Sequence, residues 1–201
     1  MLAAKKPVLS EADYLLGERL AATRHEYLDG AARAMDGESK LHNKIAFQSR
    51  LLVHTALQGR PCDAYMENVK TRVAATKAYY YPDVVVTCDP RDTGPEGDDY
   101  FIEHPSLIIE VLSPTTESID RGEKLAAYKM LPSLHAYLLV SQQSCHVELY
   151  RRGEGKLWLY QDFGEGETVE IPGLNLVFSV DGFYAGTGVT SASAALELGR
   201  G

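Results

Sequence analysis

Glu110 is the residue of this chain that packing explains least. It sits in Ser106-Leu-Ile-Ile-Glu-Val-Leu112, whose alternate positions put Leu107, Ile109 and Val111 on one face and Ile108, Glu110 and Leu112 on the other. A strand apolar on both faces belongs at a covered, central place in a sheet. A carboxylate there loses roughly several kcal/mol of hydration unless it is paired or bound to a cation. An exposed strand end or a salt bridge is the plainer account. Valine would pack equally well there, so the carboxylate argues for chemistry.

Asp83 opens Asp83-Val-Val-Val-Thr87 directly after Pro82. Proline presets an extended entry and aims the aspartate early in the strand. Alone, Pro-Asp is a common turn device. Beside Glu110 on a neighbouring strand it becomes half of a carboxylate pair, which repels unless a cation or proton lies between. Hard oxygen ligands that leave room for water suit Mg²⁺ or Mn²⁺. Lys124 is the third such residue. At 100° per residue it falls with Ala127, Tyr128 and Leu131 on the apolar face of a helix expected from about Asp120 to Leu131. An inward lysine requires an anion, unless its stem snorkels the ammonium out past the helix start.

The elements that must position these groups are legible in outline. Ser10 caps a helix from about Glu11 to Ala22. Asp29-Gly30 joins His25–Leu28 and Ala31–Met35 as a type I′ hairpin. Ser39 caps a long helix to about Gln58, with an apolar stripe through Leu41, Ile45, Leu52 and Ala56. Strands are expected at Cys62–Met66, Val69–Val73, Tyr80–Thr87 and Ser106–Leu112. After the Asp120 helix come His135–Val140, His146–Tyr150, Leu157–Gln161 and Thr168–Ile171. Asp89–Glu103 reads as an exposed loop. The order describes an α/β or α+β sheet flanked by helices. Its organisation is a flexible N-terminus at 1–7, one domain at 8–185 and a flexible tail at 186–201.

Composition bounds the rest. The 201 residues are 45% apolar and 24% charged, which suits one soluble domain. No apolar run is long enough to span a membrane, the N-terminus lacks a secretory h-region, and a cytoplasmic setting is expected. Cys62, Cys88 and Cys145 are odd in number and far apart, which argues against a disulfide framework and a thiolate zinc site. The net charge of −8 counts against a protein that simply coats nucleic acid.

Five ordered pieces match a known pattern. They are His25-Glu-Tyr-Leu-Asp-Gly30, His42 on the long helix, Tyr81-Pro-Asp-Val-Val-Val86, Pro105 to Pro114 around Glu110, and Asp120 to Lys124 with Tyr128. Over roughly residues 8 to 185 the chain resembles the Uma-two-type family of restriction-endonuclease-like proteins, a branch of the PD-(D/E)XK superfamily. The resemblance implies a mixed central sheet flanked by helices, with Asp83 and Glu110 as metal ligands and the Val111 carbonyl as a further one. Leu112 stands where the superfamily lysine is expected, and Lys124 is its replacement on the following helix.

The implied activity is Mg²⁺- or Mn²⁺-dependent hydrolysis of phosphodiester bonds in nucleic acid, with DNA the expected substrate. Asp83, Glu110 and Lys124 would be the catalytic set. Glu26 is a candidate for reaching the metal through water, and His42 for contacting phosphate or bracing a carboxylate. Lys40, Lys44, Lys70, Arg72, Lys77 and Arg121 are candidate phosphate contacts. The rival is a non-catalytic nuclease-like binding or assembly module, with a homodimer paired through edge strands. A two-carboxylate glycoside hydrolase would explain the acids but leaves Lys124 without a role.

Overall fold

The computed structural model describes residues 8–190. Helix α1 (Glu11–Leu20) starts where the Ser10 side chain accepts the Asp13 N–H at 3.1 Å. The hairpin of β1 (His25–Leu28) and β2 (Ala31–Ala34) turns through Asp29 at φ 40° and Gly30 at φ 91°. Both central residues are left-handed, as a type I′ turn demands, and a side chain on Gly30 would collide with Val8. Helix α2 (Lys40–Ala56) is capped by Ser39, which accepts the His42 N–H at 3.0 Å.

Strands β3 (Asp63–Met66), β4 (Lys70–Val73), β5 (Ala78–Tyr80) and β6 (Val84–Thr87) follow. After them come the short helix α3 (Pro90–Thr93), β7 (Phe101–Ile102) and β8 (Pro105–Leu112). A helical segment then runs through α4 (Glu117–Ile119), a π-helical stretch (Asp120–Lys124) and α5 (Leu125–Tyr128). The chain closes with β9 (Ala136–Ser141), β10 (His146–Arg152), β11 (Trp158–Gly164), β12 (Thr168–Ile171), β13 (Leu176–Ser179) and α6 (Val180–Phe183).

A six-stranded sheet of order β11-β10-β9-β8-β6-β3 forms the centre, and β8 pairs parallel with β9 while its other pairs are antiparallel. A second sheet has the order β2-β1-β5-β4-β7, and β12 pairs with β13 alone. This is the mixed, helix-flanked architecture expected from the sequence. All eight residues of β8 are buried. On one side Leu107, Ile109 and Val111 pack with Ile45, Ala46 and Val53 of α2. On the other, Ile108 and Leu112 pack with Ala127, Tyr128 and Leu131. Each such aliphatic side chain contributes roughly 1.5–3 kcal/mol on burial.

Four local expectations change. The strand foreseen over Tyr80–Thr87 is two strands in different sheets. Pro82 has no N–H to give to a ladder, so the chain leaves the second sheet after Tyr80 and enters the central one at Val84, with Asp83 at the crossing. The Asp89–Glu103 segment is not all loop: α3 starts at Pro90 under an Asp89 cap, and β7 pairs with β4. The helix before β9 begins at Glu117 and carries the π turn. The β13–α6 segment, not foreseen as structure, packs Leu176, Phe178, Val180 and Phe183 into the core. Residues 1–7 and 191–201, the expected flexible ends, lie outside the described residues. Residues 186–190 still touch the domain, since Cys145 donates its N–H to the Thr190 carbonyl at 3.4 Å.

Cys62 and Cys88 form a disulfide, against the expectation from their spacing. They are 26 residues apart, but the β3–β6 register pairs Asp63 with Thr87 and brings the flanking cysteines to a Cα separation of 4.1 Å. A covalent loop of this length stabilises by about 3 kcal/mol through the unfolded chain. Reduction, or Cys62→Ser with Cys88→Ser, is therefore expected to lower the melting temperature by roughly 5–10 °C in a thermal scan. An unchanged Tm would mean the bond does not form in solution.

Candidate active site

The centre of the site is an ammonium ion with three carboxylates. Lys124 Nζ lies 3.0 Å from Glu110 Oε1, 3.2 Å from Glu26 Oε1 and 3.1 Å from Asp120 Oδ1. Lys124, Glu110, Glu26 and Asp120 are all buried, Asp120 to 1% exposure. They come from three separate stretches of chain. Glu110 projects from the middle of β8, Glu26 from β1, and Asp120 and Lys124 bracket the π turn. One turn closed by the i→i+5 pattern adds a residue to the helix, a device often found at functional sites. Here both its ends point inward.

The surrounding groups hold this cluster in place. Tyr128 donates its hydroxyl to Glu110 Oε1 at 3.2 Å, and Arg33 donates to Glu26 Oε2 at 2.7 Å. Asp83, at the crossing between sheets, accepts the Val111 N–H on Oδ2 at 2.6 Å, while its own N–H reaches Glu110 Oε2 at 3.4 Å. His42 Nε2 lies 3.2 Å from the same Asp83 Oδ2 and 3.0 Å from the Val111 carbonyl. Sequence reasoning about Asp83, Glu110 and Lys124 therefore names groups that meet.

Electrostatics follow from burial. Desolvation, helped by Asp120, Asp83 and Glu26, pushes Glu110 well above the usual carboxylate range against the pull of Lys124. Burial likewise raises Asp120. Burial works to lower Lys124, but Glu110, Glu26 and Asp120 outweigh it and hold the ammonium well above its ordinary value. For His42 burial is outweighed by the hydrogen bond and charge of Asp83, and the imidazole is raised.

These groups open into a cleft of about 450 Å³, whose walls include Arg24, Arg33, Glu38, His42, Tyr81, Asp83, Glu110, Thr116, Asp120 and Lys124. Among the described residues no three His, Cys, Asp or Glu side chains form a ready-made metal cage. Asp83 Oδ1 nevertheless has no hydrogen-bond partner among the described residues, and Glu110 Oε2 has only the long contact from Asp83 N. Two hard-oxygen carboxylates lining a cleft fit a cation that keeps much of its water.

Some expectations find different places. His42 braces Asp83, the second of the two roles foreseen for it. Glu26 is committed to Lys124 and Arg33. None of Lys40, Lys44, Lys70, Arg72, Lys77 and Arg121 lines the cleft. Arg72 pairs with Glu11 and Glu103, Arg121 with Glu117 and Glu148, and Lys70 is buried against Tyr81. The cleft cations are instead Lys124, Arg33 and Arg24. Arg33 was open to discovery, because a two-residue Asp29-Gly30 turn sets Glu26 opposite Arg33. Asp120 was open too, standing four residues before Lys124 on the inward face.

With this geometry established, comparison with known proteins decides the family. The family model Uma2, described as putative restriction endonuclease, matches residues 12–181. The chain belongs to this family. It is 39% identical over 180 residues to an uncharacterized protein of Synechocystis, spanning 90% of this chain and 93% of that protein. A second Synechocystis protein is 30% identical over 172 residues, spanning 85% of this chain and 96% of that protein. The crystal structure of a putative nuclease belonging to DUF820, from Anabaena variabilis, superposes with a TM-score of 0.66 at 18% identity, covering 82% of this chain and 92% of that one. At that identity the likeness speaks for the fold, which is nuclease-like. The Uma2 match includes every residue of the Lys124 cluster.

Removing Lys124 leaves buried carboxylates without their cation, which costs about 3–5 kcal/mol. Lys124→Met is therefore expected to destabilise the domain strongly at pH 7.5. Glu110 and Asp120 have raised folded pKa values, so the folded state holds protons that the unfolded chain gives up, and stability falls as pH rises through that window. The deficit of Lys124→Met should accordingly shrink between pH 7.5 and pH 5. Urea denaturation at both values checks this, and a pH-independent deficit would count against it.

Proposed function

We propose that this member of the family is a metal-dependent endonuclease hydrolysing phosphodiester bonds, with DNA as the expected substrate. The observation that carries the reading is the convergence of Asp83 and Glu110, both lining the cleft, beside the buried ammonium of Lys124. Asp83 and Glu110 would hold Mg²⁺ or Mn²⁺, with the Val111 carbonyl at hand. A cation so bound would supply Lewis acidity and a water acidified toward neutral pH.

The chain's own groups do the rest. Lys124 offsets part of the cost of burying Glu110, and would place its positive charge at the cleft wall beside a bound phosphate. Tyr128 fixes the Glu110 oxygen that Lys124 also holds. His42 and the Val111 N–H fix one oxygen of Asp83, and the other has no hydrogen-bond partner among the described residues. Glu26, held by Arg33, gives Lys124 a second carboxylate partner besides Glu110.

Asp83→Asn and Glu110→Gln are expected to lower metal-dependent cleavage of plasmid or single-stranded DNA by at least about 10²-fold. Asp83→Ala should abolish the heat of Mg²⁺ or Mn²⁺ binding in calorimetry, and EDTA should stop cleavage by the wild type. A wild type that binds neither metal at millimolar levels with nucleic acid present would overturn the reading.

A further inference from the structure

We infer that Arg24 is the substrate anchor of the cleft, binding a backbone phosphate next to the scissile one. This rests on the phosphodiester reading above. Seven carboxylates line the cleft against only three permanent cations, Arg24, Arg33 and Lys124. Lys124 is spent on Glu26, Glu110 and Asp120, and Arg33 on Glu26 and Glu123. A polyanion entering here meets repulsion from most of the wall. Arg24 is the cleft cation that makes no ion pair among the described residues.

Its surroundings hold it ready. Arg24 leaves the chain just before β1, where its carbonyl accepts the Met35 N–H at 2.9 Å. Its Nε makes one side-chain hydrogen bond, to Asn68 Oδ1 at 3.3 Å, and its guanidinium carbon stands 6.0 Å from the centre of the Tyr81 ring. Both supports are themselves fixed. Asn68 follows Glu67, a non-glycine residue at φ 40° in the β3–β4 turn, and Asn43 donates to Glu67 at 3.4 Å. The Tyr81 hydroxyl donates to Glu18 at 3.1 Å and receives Lys70 Nζ at 3.4 Å. Asn68 engages Nε alone, and among the described residues the two terminal nitrogens have no partner, which leaves them for a phosphate that a guanidinium can grip through two parallel hydrogen bonds. Arg24, Tyr81 and Asp83 line the same cleft, so an anion on Arg24 would share it with the expected metal site.

Binding of a fluorescent oligonucleotide, measured by anisotropy in Ca²⁺ at several salt concentrations, tests this beside steady-state cleavage in Mg²⁺. Arg24→Ala is expected to raise Kd and KM by roughly tenfold or more while kcat stays within about twofold. The slope of log K against log salt should fall by about 1, and Arg24→Lys should restore that slope. Arg151→Ala, on β10 and outside the cleft, should change none of these. Unaltered affinity and salt slope in Arg24→Ala, with wild type binding normally, would overturn the anchor and leave the nuclease reading standing. A wild type that neither binds nor cleaves nucleic acid would overturn both.

Discussion

The structure turns on one buried ammonium ion. Three carboxylates within 3.2 Å hold Lys124 in its charged form, and its charge in turn opposes the rise that burial imposes on Glu110 and Asp120. Such a cluster is a poor way to make a protein stable. Buried ion networks seldom outperform well-packed apolar side chains of similar volume, since desolvation consumes most of the Coulombic gain. The sheet around Glu110 has no shortage of apolar side chains, with Ile109 and Val111 beside it and Leu139 opposite. A network that stability does not demand, opening onto a cleft, is more economically explained by chemistry.

The fold serves that cluster by bringing four unrelated pieces of backbone to one place. The central strand β8 delivers Glu110, the hairpin delivers Glu26 and Arg33 in register, the π turn delivers Asp120 and Lys124 together, and the break at Pro82 delivers Asp83. The break matters most for Asp83. An aspartate inside a continuous strand would have its backbone committed to a ladder on both sides. At the crossing between sheets its N–H is free to reach Glu110, and its side chain takes the Val111 N–H that β6 does not.

Much of this was legible in the sequence, and the parts that were not share a cause. Periodicity placed Glu110 on a covered strand and Lys124 inward, because period 2 and period 3.6 are local properties of the chain. The Ser10 and Ser39 caps and the Asp29-Gly30 turn are local too. What local pattern cannot give is which strand meets which. The Cys62–Cys88 bond depends on β3 lying beside β6, and the division of Tyr80–Thr87 depends on two sheets competing for one apolar run. Lys70 and Arg72 looked like cleft cations because their partners, Tyr81 and Glu103, approach from far along the chain. The residues themselves suggested Asp83 and Glu110 as a carboxylate pair on neighbouring strands, and the family resemblance agreed with that pair.

The acidic charge of the chain then takes a different meaning. A net −8 argues against a surface that coats nucleic acid, and the six basic residues first considered lie outside the cleft. A cleft richer in carboxylates than in cations does not attract a polyanion by its own field. It can concentrate divalent cations, each attracted about twice as strongly as a monovalent one at the same distance, and so admit the polyanion only once its charge is offset. In such a site substrate affinity and metal occupancy are linked, and selectivity for phosphate rests on few direct contacts. That is the physical reason a guanidinium with no ion pair among the described residues carries more weight in this cleft than it would in a basic groove, where any one of many cations is dispensable.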